Sequence, residues 1–136
     1  MRIQSLIKTM VATAAFVAAI QFAGVAQAFE AKKFDDAAFK AAQAAGSEIL
    51  VHVTAPWCPT CVSQHKTLAE IGKKPDYAKL AVFDLDFDTQ ADAMKAFKAN
   101  SQSTLIAFKG ATETGRLVGA TKADAIEGLL QSTMKK

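Results

Sequence analysis

An α/β sandwich, with helices on both faces of a mixed sheet, is the fold that the sequence predicts. From residue 49 onward, strand-like and helix-like segments follow one another in the order βαβαββα. The apolar run at residues 49–55 is typical of a central strand that is buried on both faces. The early βαβ unit predicts a parallel pair and the late ββ unit an antiparallel hairpin, so the sheet is expected to be mixed.

The element boundaries follow from periodicity and from turn residues. Residues 29–33 are expected to form a short edge strand. Residues 34–45 have helical spacing, with Asp35 and Asp36 in the first turn and Gly46 as a stop. The remaining predicted elements are a strand at 49–55, a helix at 62–71, a loop at 72–76, a strand at 80–87, a helix at 89–99, hairpin strands at 104–109 and 116–120 around a loop at 110–115, and a closing helix at 122–134.

Residues 1–28 are predicted to be a secretory signal peptide rather than part of the fold. Arg2 and Lys8 form a basic start, residues 10–20 are uncharged and apolar, and Ala26-Gln27-Ala28 is a small-x-small cleavage signal. An uncleaved membrane anchor is the alternative, because residues 9–28 carry no charge and are barely long enough to span a bilayer. The alanine-rich composition favours cleavage. We therefore expect one domain at residues 29–136, located in the periplasm or secreted.

The net charge of that domain bears on whether it binds nucleic acid. Without Arg2 and Lys8 the chain keeps 14 basic and 13 acidic side chains, a net charge of +1. A nearly neutral domain gives no support to nucleic-acid binding. We expect a monomer with no nucleic-acid partner.

The two cysteines of the chain, Cys58 and Cys61, are separated by two residues. Such a pair can close a small disulfide ring and pass between dithiol and disulfide. Since a strand precedes Cys58 and a helix follows it, Cys58 is expected at a helix N-terminus, where the dipole lowers a thiol pKa below the free value of about 8.5. A thiolate is the attacking species in exchange. Half of a zinc site and an inert disulfide staple are the other interpretations of the pair.

A strand leading into Trp57-Cys58-Pro59-Thr60-Cys61 at a helix start resembles the thioredoxin superfamily. Phe108-Lys109 and Val118-Gly119-Ala120 extend the resemblance over nearly all of residues 29–136. The resemblance implies a thioredoxin-like fold and a thiol–disulfide oxidoreductase without a cofactor, acting on protein disulfides and dithiols. Cys58 would attack a substrate disulfide and Cys61 would resolve the mixed disulfide. The side chains expected to border the substrate are Trp57, Pro59, Thr60, Ser103 and Thr104.

Three positions depart from the family pattern. Ser103 stands where the family places a cis-proline. We expect a trans bond there, since a cis bond before a residue other than proline costs about 2.5–4 kcal/mol. Loss of that proline puts substrate recognition and metal exclusion in question. His52 and Asp84 stand where the family carries an Asp and a Lys, so acid and base are exchanged. We hypothesise that His52 accepts the proton of Cys61 and is oriented by Asp84; a buried structural histidine is the alternative.

His65 follows Cys61 by four residues on the same predicted helix. Cys58, Cys61 and His65 could together offer three metal ligands. A surface or partly packed histidine is the favoured interpretation, because cysteines at a helix start usually turn away from the body of their helix. No metal ligand is assigned from the sequence.

The direction of electron flow is not set by Pro59-Thr60. A reductase or electron relay is the first interpretation, and the resemblance implies a membrane-embedded dithiol relay as its electron donor. The alternatives are a disulfide-forming oxidant, a metal or iron–sulfur module that uses the same cysteines, and a binding domain with a static disulfide.

Overall fold

The computed structural model describes residues 29–135, so the predicted signal peptide lies outside the described residues. Its strands and helices follow one another in the predicted order, joined by one 3₁₀ turn at Pro75–Tyr77. No helix within residues 29–135 has the length and apolar character needed to cross a bilayer. The elements are β1 (Ala31–Lys33), α1 (Asp36–Ala44), β2 (Glu48–Thr54), α2 (Pro59–Ile71), β3 (Ala81–Asp86), α3 (Ala91–Ala96), β4 (Thr104–Lys109), β5 (Thr112–Val118) and α4 (Ala123–Ser132).

The five strands form one mixed sheet in the order β1-β3-β2-β4-β5. β1 and β2 run parallel to β3, whereas β4 runs antiparallel to both β2 and β5. β2 therefore lies at the centre, and its carboxyl end leads directly into the cysteine motif. This arrangement confirms the predicted α/β class and the mixed sheet.

Alternation along β2 divides the core into two layers. Val51 and Val53 belong to a cluster with Phe39 of α1 and Met94 of α3. Leu50 belongs to a second cluster on the opposite face, between the sheet and helices α2 and α4. Since side chains two apart on a strand share a face, His52 points to the α2 and α4 side. A titratable side chain is thus placed inside an apolar layer.

All four helices differ in length from the prediction: α1 and α4 are shorter at both ends, and α2 and α3 differ for reasons that the structure shows. α2 begins at Pro59, three residues earlier than expected, because proline is pre-organised for the first helical position. α3 covers Ala91–Ala96 instead of residues 89–99. The backbone N–H groups of Asp88 and Thr89 donate to Asp86 Oδ1, each at 2.9 Å, and form a turn in place of a first helical turn. These N–H groups also hold the pKa of Asp86 below its ordinary value.

The predicted hairpin exists, but its loop was placed wrongly. β5 begins at Thr112, so the turn consists of Gly110 and Ala111 rather than residues 110–115. Gly110 has φ +56, a conformation that glycine adopts readily and that permits such a short turn. Gly115, which suggested a loop, lies within β5, where a Cβ atom would stand 3.0 Å from Leu129 Cδ1 of α4. Its small size serves helix packing rather than a turn.

Gly110→Ala should lower the free energy of unfolding by about 1–2 kcal/mol, because the left-handed backbone is strained for alanine. The added Cβ would also lie 3.3 Å from the Gln43 carbonyl oxygen. Gly128→Ala is the matched control, since Gly128 lies inside α4 with nothing within 4 Å of its Cβ position. It should stabilise by about 0.5–1 kcal/mol. Denaturant unfolding measures both, and equal effects of one sign would contradict the assigned turn.

Candidate active site

Cys58 and Cys61 form a disulfide at the N-terminus of α2, with their Cα atoms 5.3 Å apart. Cys58 is the N-cap residue, with φ −94° and ψ 105°, and Cys61 lies in the first turn of the helix. The site therefore places both sulfurs where the helix N–H groups and the dipole favour negative charge. Both the position of Cys58 and the disulfide were expected from the sequence.

The surroundings of the two sulfurs differ. Cys58 Sγ accepts a hydrogen bond from the backbone N–H of Cys61 at 3.1 Å. The Ser103 hydroxyl lies 3.1 Å from the same sulfur and is the donor, because a disulfide sulfur carries no hydrogen. Cys61 Sγ instead lies 3.9 Å from the Val53 carbonyl oxygen, which can only accept. After reduction, the donors favour a thiolate on Cys58 and the carbonyl favours a thiol on Cys61.

Ser103 is held in a left-handed conformation, with φ +59. The peptide bond before it is trans, as predicted. Its N–H donates to Val53 O at 2.8 Å, and its carbonyl accepts from the Gly119 N–H at 2.9 Å. The hydroxyl thereby reaches both sulfurs, at 3.1 Å from Cys58 and 3.4 Å from Cys61. Residues other than glycine rarely adopt this backbone conformation. It costs of order 1–3 kcal/mol, and such residues cluster at functional sites.

The other residues predicted to border a substrate fall into two groups. Pro59 is exposed and Thr60 is partly exposed. Trp57 is 57% exposed, and its indole N–H donates to Asp88 Oδ2 at 2.8 Å, a partner that the sequence did not indicate. Thr104, by contrast, is only 2% exposed, and its hydroxyl donates to Ser101 O at 2.7 Å. The Thr104 side chain therefore serves the loop and does not face the surface.

His52 and Asp84 are paired by the register of β2 and β3, as expected if the strands were neighbours. His52 Nδ1 lies 3.4 Å from Asp84 Oδ1, and His52 is completely buried. Its other ring nitrogen, Nε2, lies 2.9 Å from Gln64 Oε1. Among the described residues, His52 makes no hydrogen bond with Cys61. The general-base role of His52 stays a prediction, and this arrangement offers it no direct route.

Gln64 of α2 determines which nitrogen of His52 carries hydrogen. Its amide nitrogen donates to Ser103 O at 3.0 Å and to Ala120 O at 2.9 Å, so both amide hydrogens are used. Its Oε1 must therefore accept, and His52 Nε2 is the donor. Gln64 is a residue of the site that was not predicted from the sequence. Its position in the helix could have indicated its importance. Gln64 lies with Cys61 and Leu68 on the buried face of α2, where a polar side chain needs hydrogen-bond partners.

His65 lies beside this pair. Its side chain is 41% exposed, with Nε2 at 4.0 Å from Asp84 Oδ2 and 3.4 Å from Thr54 Oγ1. Its ring centroid is 4.5 Å from that of His52. Burial lowers the pKa of His65, and the neighbouring His52 lowers it further, whereas Asp84 partly opposes the shift. The side chain is partly packed, as favoured, and it is grouped with His52 and Asp84 rather than with the bonded cysteines.

A Cys-x-x-Cys disulfide at a helix N-terminus, directly after a central strand, defines a site for thiol–disulfide exchange. Residues 29–132 match the protein-family model described as Thioredoxin. The chain belongs to the thioredoxin family, and it is a thiol–disulfide oxidoreductase.

Similar proteins agree with this assignment. A thioredoxin H-type from Brassica campestris is 30% identical over 92 residues, which cover 68% of this chain and 73% of the relative. Thioredoxin-2 from Saccharomyces cerevisiae is 33% identical over 88 residues, which cover 62% of this chain and 81% of the relative. The crystal structure of Trxlp from Edwardsiella tarda EIB202 superposes with a TM-score of 0.72 at 39% identity, covering 74% of this chain and 98% of that one.

The unequal surroundings of the sulfurs lead to a trapping prediction. Cys61→Ser should accumulate a mixed disulfide between Cys58 and a model disulfide substrate, because the resolving thiol is gone. Cys58→Ser is the matched control and should form almost none. Non-reducing gels and mass spectrometry measure the adduct. Equal trapping by the two variants would contradict the assignment of Cys58 as the attacking residue.

Proposed function

We propose that the chain is an exported reductase or electron relay that acts on disulfides of other proteins. The observation that carries this proposal is the setting of the Cys58–Cys61 disulfide beside exposed apolar side chains. Trp57 immediately precedes it and Val62 immediately follows it, 57% and 48% exposed. An exposed apolar surface of this kind suits transient contact with another polypeptide. Export is supported by the pattern of residues 1–28, which resembles a cleaved signal peptide.

The mechanism uses the two sulfurs in turn. The Cys58 thiolate, stabilised by the Cys61 N–H and the Ser103 hydroxyl, attacks a substrate disulfide. A mixed disulfide forms and one substrate sulfur leaves as a thiolate. Cys61 then attacks Cys58 Sγ, which restores the Cys58–Cys61 disulfide and breaks the bond to the second substrate sulfur. The proton of Cys61 passes to that departing sulfur, directly or through water. The substrate gains two electrons and the protein loses two.

Repeated turnover as a reductant requires an electron donor. In an oxidising compartment the Cys58–Cys61 disulfide would otherwise persist. A membrane-embedded dithiol relay is the donor that the proposal includes. Its thiolate would attack the disulfide of this protein and return both sulfurs to the reduced state.

A disulfide-forming oxidant is the second candidate, and Ser103 favours it. Where the family places a proline, this chain presents a hydroxyl 3.1 Å from Cys58 Sγ. A donor to the thiolate stabilises the reduced protein, which makes the disulfide a stronger oxidant. The reduction potential decides between the two candidates.

Equilibration of the chain with glutathione and dithiothreitol buffers, followed by alkylation and mass spectrometry, measures this potential. A reductase or relay is expected near about −270 mV, whereas a value near about −120 mV would make the protein an oxidant. Ser103→Ala should lower the potential by about 30 mV, equivalent to about 1.4 kcal/mol, because the thiolate loses one donor.

Ser101→Ala is the matched control for that shift. Ser101 accepts from Thr104 through its carbonyl, which the substitution keeps, so the potential should not change. An unchanged reduction potential in Ser103→Ala would show that the Ser103 hydroxyl does not stabilise the Cys58 thiolate.

Export has a separate test. The mass of the exported chain should correspond to a start at Phe29, and a chain retaining residues 1–28 would contradict cleavage.

A further inference from the structure

We propose that His52, His65 and Asp84 form a binding site for a divalent transition metal of the zinc class, separate from the redox cysteines. The three side chains come from different elements: His52 from β2, His65 from α2 and Asp84 from β3. One ligand atom of each lies within 4.8 Å of the others. This inference does not depend on the proposed reductase function.

The first argument is an uncompensated pair of acceptors. Gln64 fixes the hydrogen of neutral His52 on Nε2, so Nδ1 presents a lone pair. This lone pair faces Asp84 Oδ1 at 3.4 Å, and neither atom has a hydrogen-bond partner among the described residues. Two buried acceptors without a donor between them are costly, and a carboxylate adds charge to that cost. A cation between them would remove it.

The second argument concerns which cation fits. A proton shared between His52 and Asp84 would satisfy the two acceptors and would need no third ligand. His65 supplies a third donor, with Nε2 at 4.0 Å from Asp84 Oδ2. Metal bonds of about 2.0–2.1 Å in a tetrahedral site place ligand atoms about 3.3–3.4 Å apart. The distance from His52 Nδ1 to Asp84 Oδ1 already has this value. His65 Nε2, at 4.0 Å from Asp84 Oδ2, must come closer by rotation of its half-exposed side chain. Two imidazoles and a carboxylate suit zinc.

The third argument is the support behind the buried ligand. Histidines that bind metal generally donate their other ring N–H to an acceptor, which fixes the tautomer and the orientation of the ring. His52 has this arrangement, with Gln64 Oε1 as the acceptor at 2.9 Å. Gln64 is itself anchored by the carbonyls of Ser103 and Ala120. The ligand is therefore held before any metal arrives.

The site is also accessible from solvent. His65 borders two cavities, one of about 260 Å³ shared with Thr54 and Val62 and one of about 290 Å³ shared with Asp84 and Leu68. Both cavities are larger than the volume that one water molecule occupies in the liquid, about 30 Å³. The second cavity brings solvent to His65 and Asp84, and the buried His52 Nδ1 lies behind them, 3.4 Å from Asp84 Oδ1. Water can take the fourth position that three protein ligands leave open.

Calorimetric titration of the untagged, fully oxidised chain with Zn²⁺ tests the proposal, because the disulfide keeps both sulfurs from binding metal. We expect one Zn²⁺ per chain. His65→Ala and Asp84→Asn should each weaken binding at least about tenfold, since even loss of an outer partner costs about 10–100-fold. Asp92→Asn is the matched control: its side chain is fully exposed, and affinity should stay the same.

A Co²⁺-loaded sample gives a second readout. Tetrahedral bands without a thiolate charge-transfer band are expected, and the Cys58→Ser/Cys61→Ser variant should give the same spectrum. Absence of saturable Zn²⁺ binding to the oxidised chain would overturn the site. So would unchanged affinity in His65→Ala, a half-exposed position where folding is readily checked by circular dichroism. Binding that appears only after reduction and is lost without the cysteines would place the metal on sulfur instead.

Discussion

The side-chain amide of Gln64 is the contact on which the site depends. It is completely buried and joins three parts of the chain: His52 on the central strand, Ser103 in the loop before β4, and Ala120 after β5. These contacts use both amide hydrogens and one lone pair of the amide oxygen, in a setting where an unpaired polar group costs about 1–3 kcal/mol. One side chain thus positions the loop that reaches the sulfurs and also fixes the tautomer of the buried histidine.

Because Gln64 holds the Ser103 loop, it also influences the hydrogen bonds that the two cysteine sulfurs receive. The Ser103 loop carries its hydroxyl to the two sulfurs, and the N-terminus of α2 adds the Cys61 N–H on the side of Cys58. Cys58 is surrounded by donors, whereas Cys61 faces the Val53 carbonyl. Two chemically identical thiols therefore acquire different roles from the hydrogen-bonding groups around them. A serine at this position contributes a hydrogen-bond donor that proline lacks.

The sequence was sufficient wherever a pattern was local. Apolar runs and helical spacing predicted the order of elements, and the Cys58–Cys61 spacing after a strand predicted the disulfide at a helix start. The pairing of His52 with Asp84 was expected from the positions where the family carries an Asp and a Lys, and the register of β2 and β3 places the two residues side by side. The sequence was insufficient where tertiary contacts decide. Gly115 suggested a loop because its packing against Leu129 was invisible, and nothing local indicated the positive φ of Ser103.

Side-chain partners across elements were the least predictable part of the site. His65 was compared with the cysteines because they share a helix, yet the fold turns it toward His52 and Asp84 on neighbouring strands. The sequence did not indicate a role for Gln64, since a single polar residue in an apolar stripe has many possible partners. Both cases depend on which elements pack together on the α2 and α4 face of the sheet, and this is a property of the whole fold rather than of any motif.

The central claim is that the reduced protein carries its thiolate on Cys58. The most direct test is the pH dependence of the alkylation rate of each cysteine in the reduced chain, resolved by mass spectrometry of peptides. The account predicts that Cys58 reacts rapidly well below the free-thiol value of about 8.5, while Cys61 remains protected over the same range. If both cysteines were alkylated together near that value, the donors at Cys58 would have no effect on its chemistry and the claim would be contradicted.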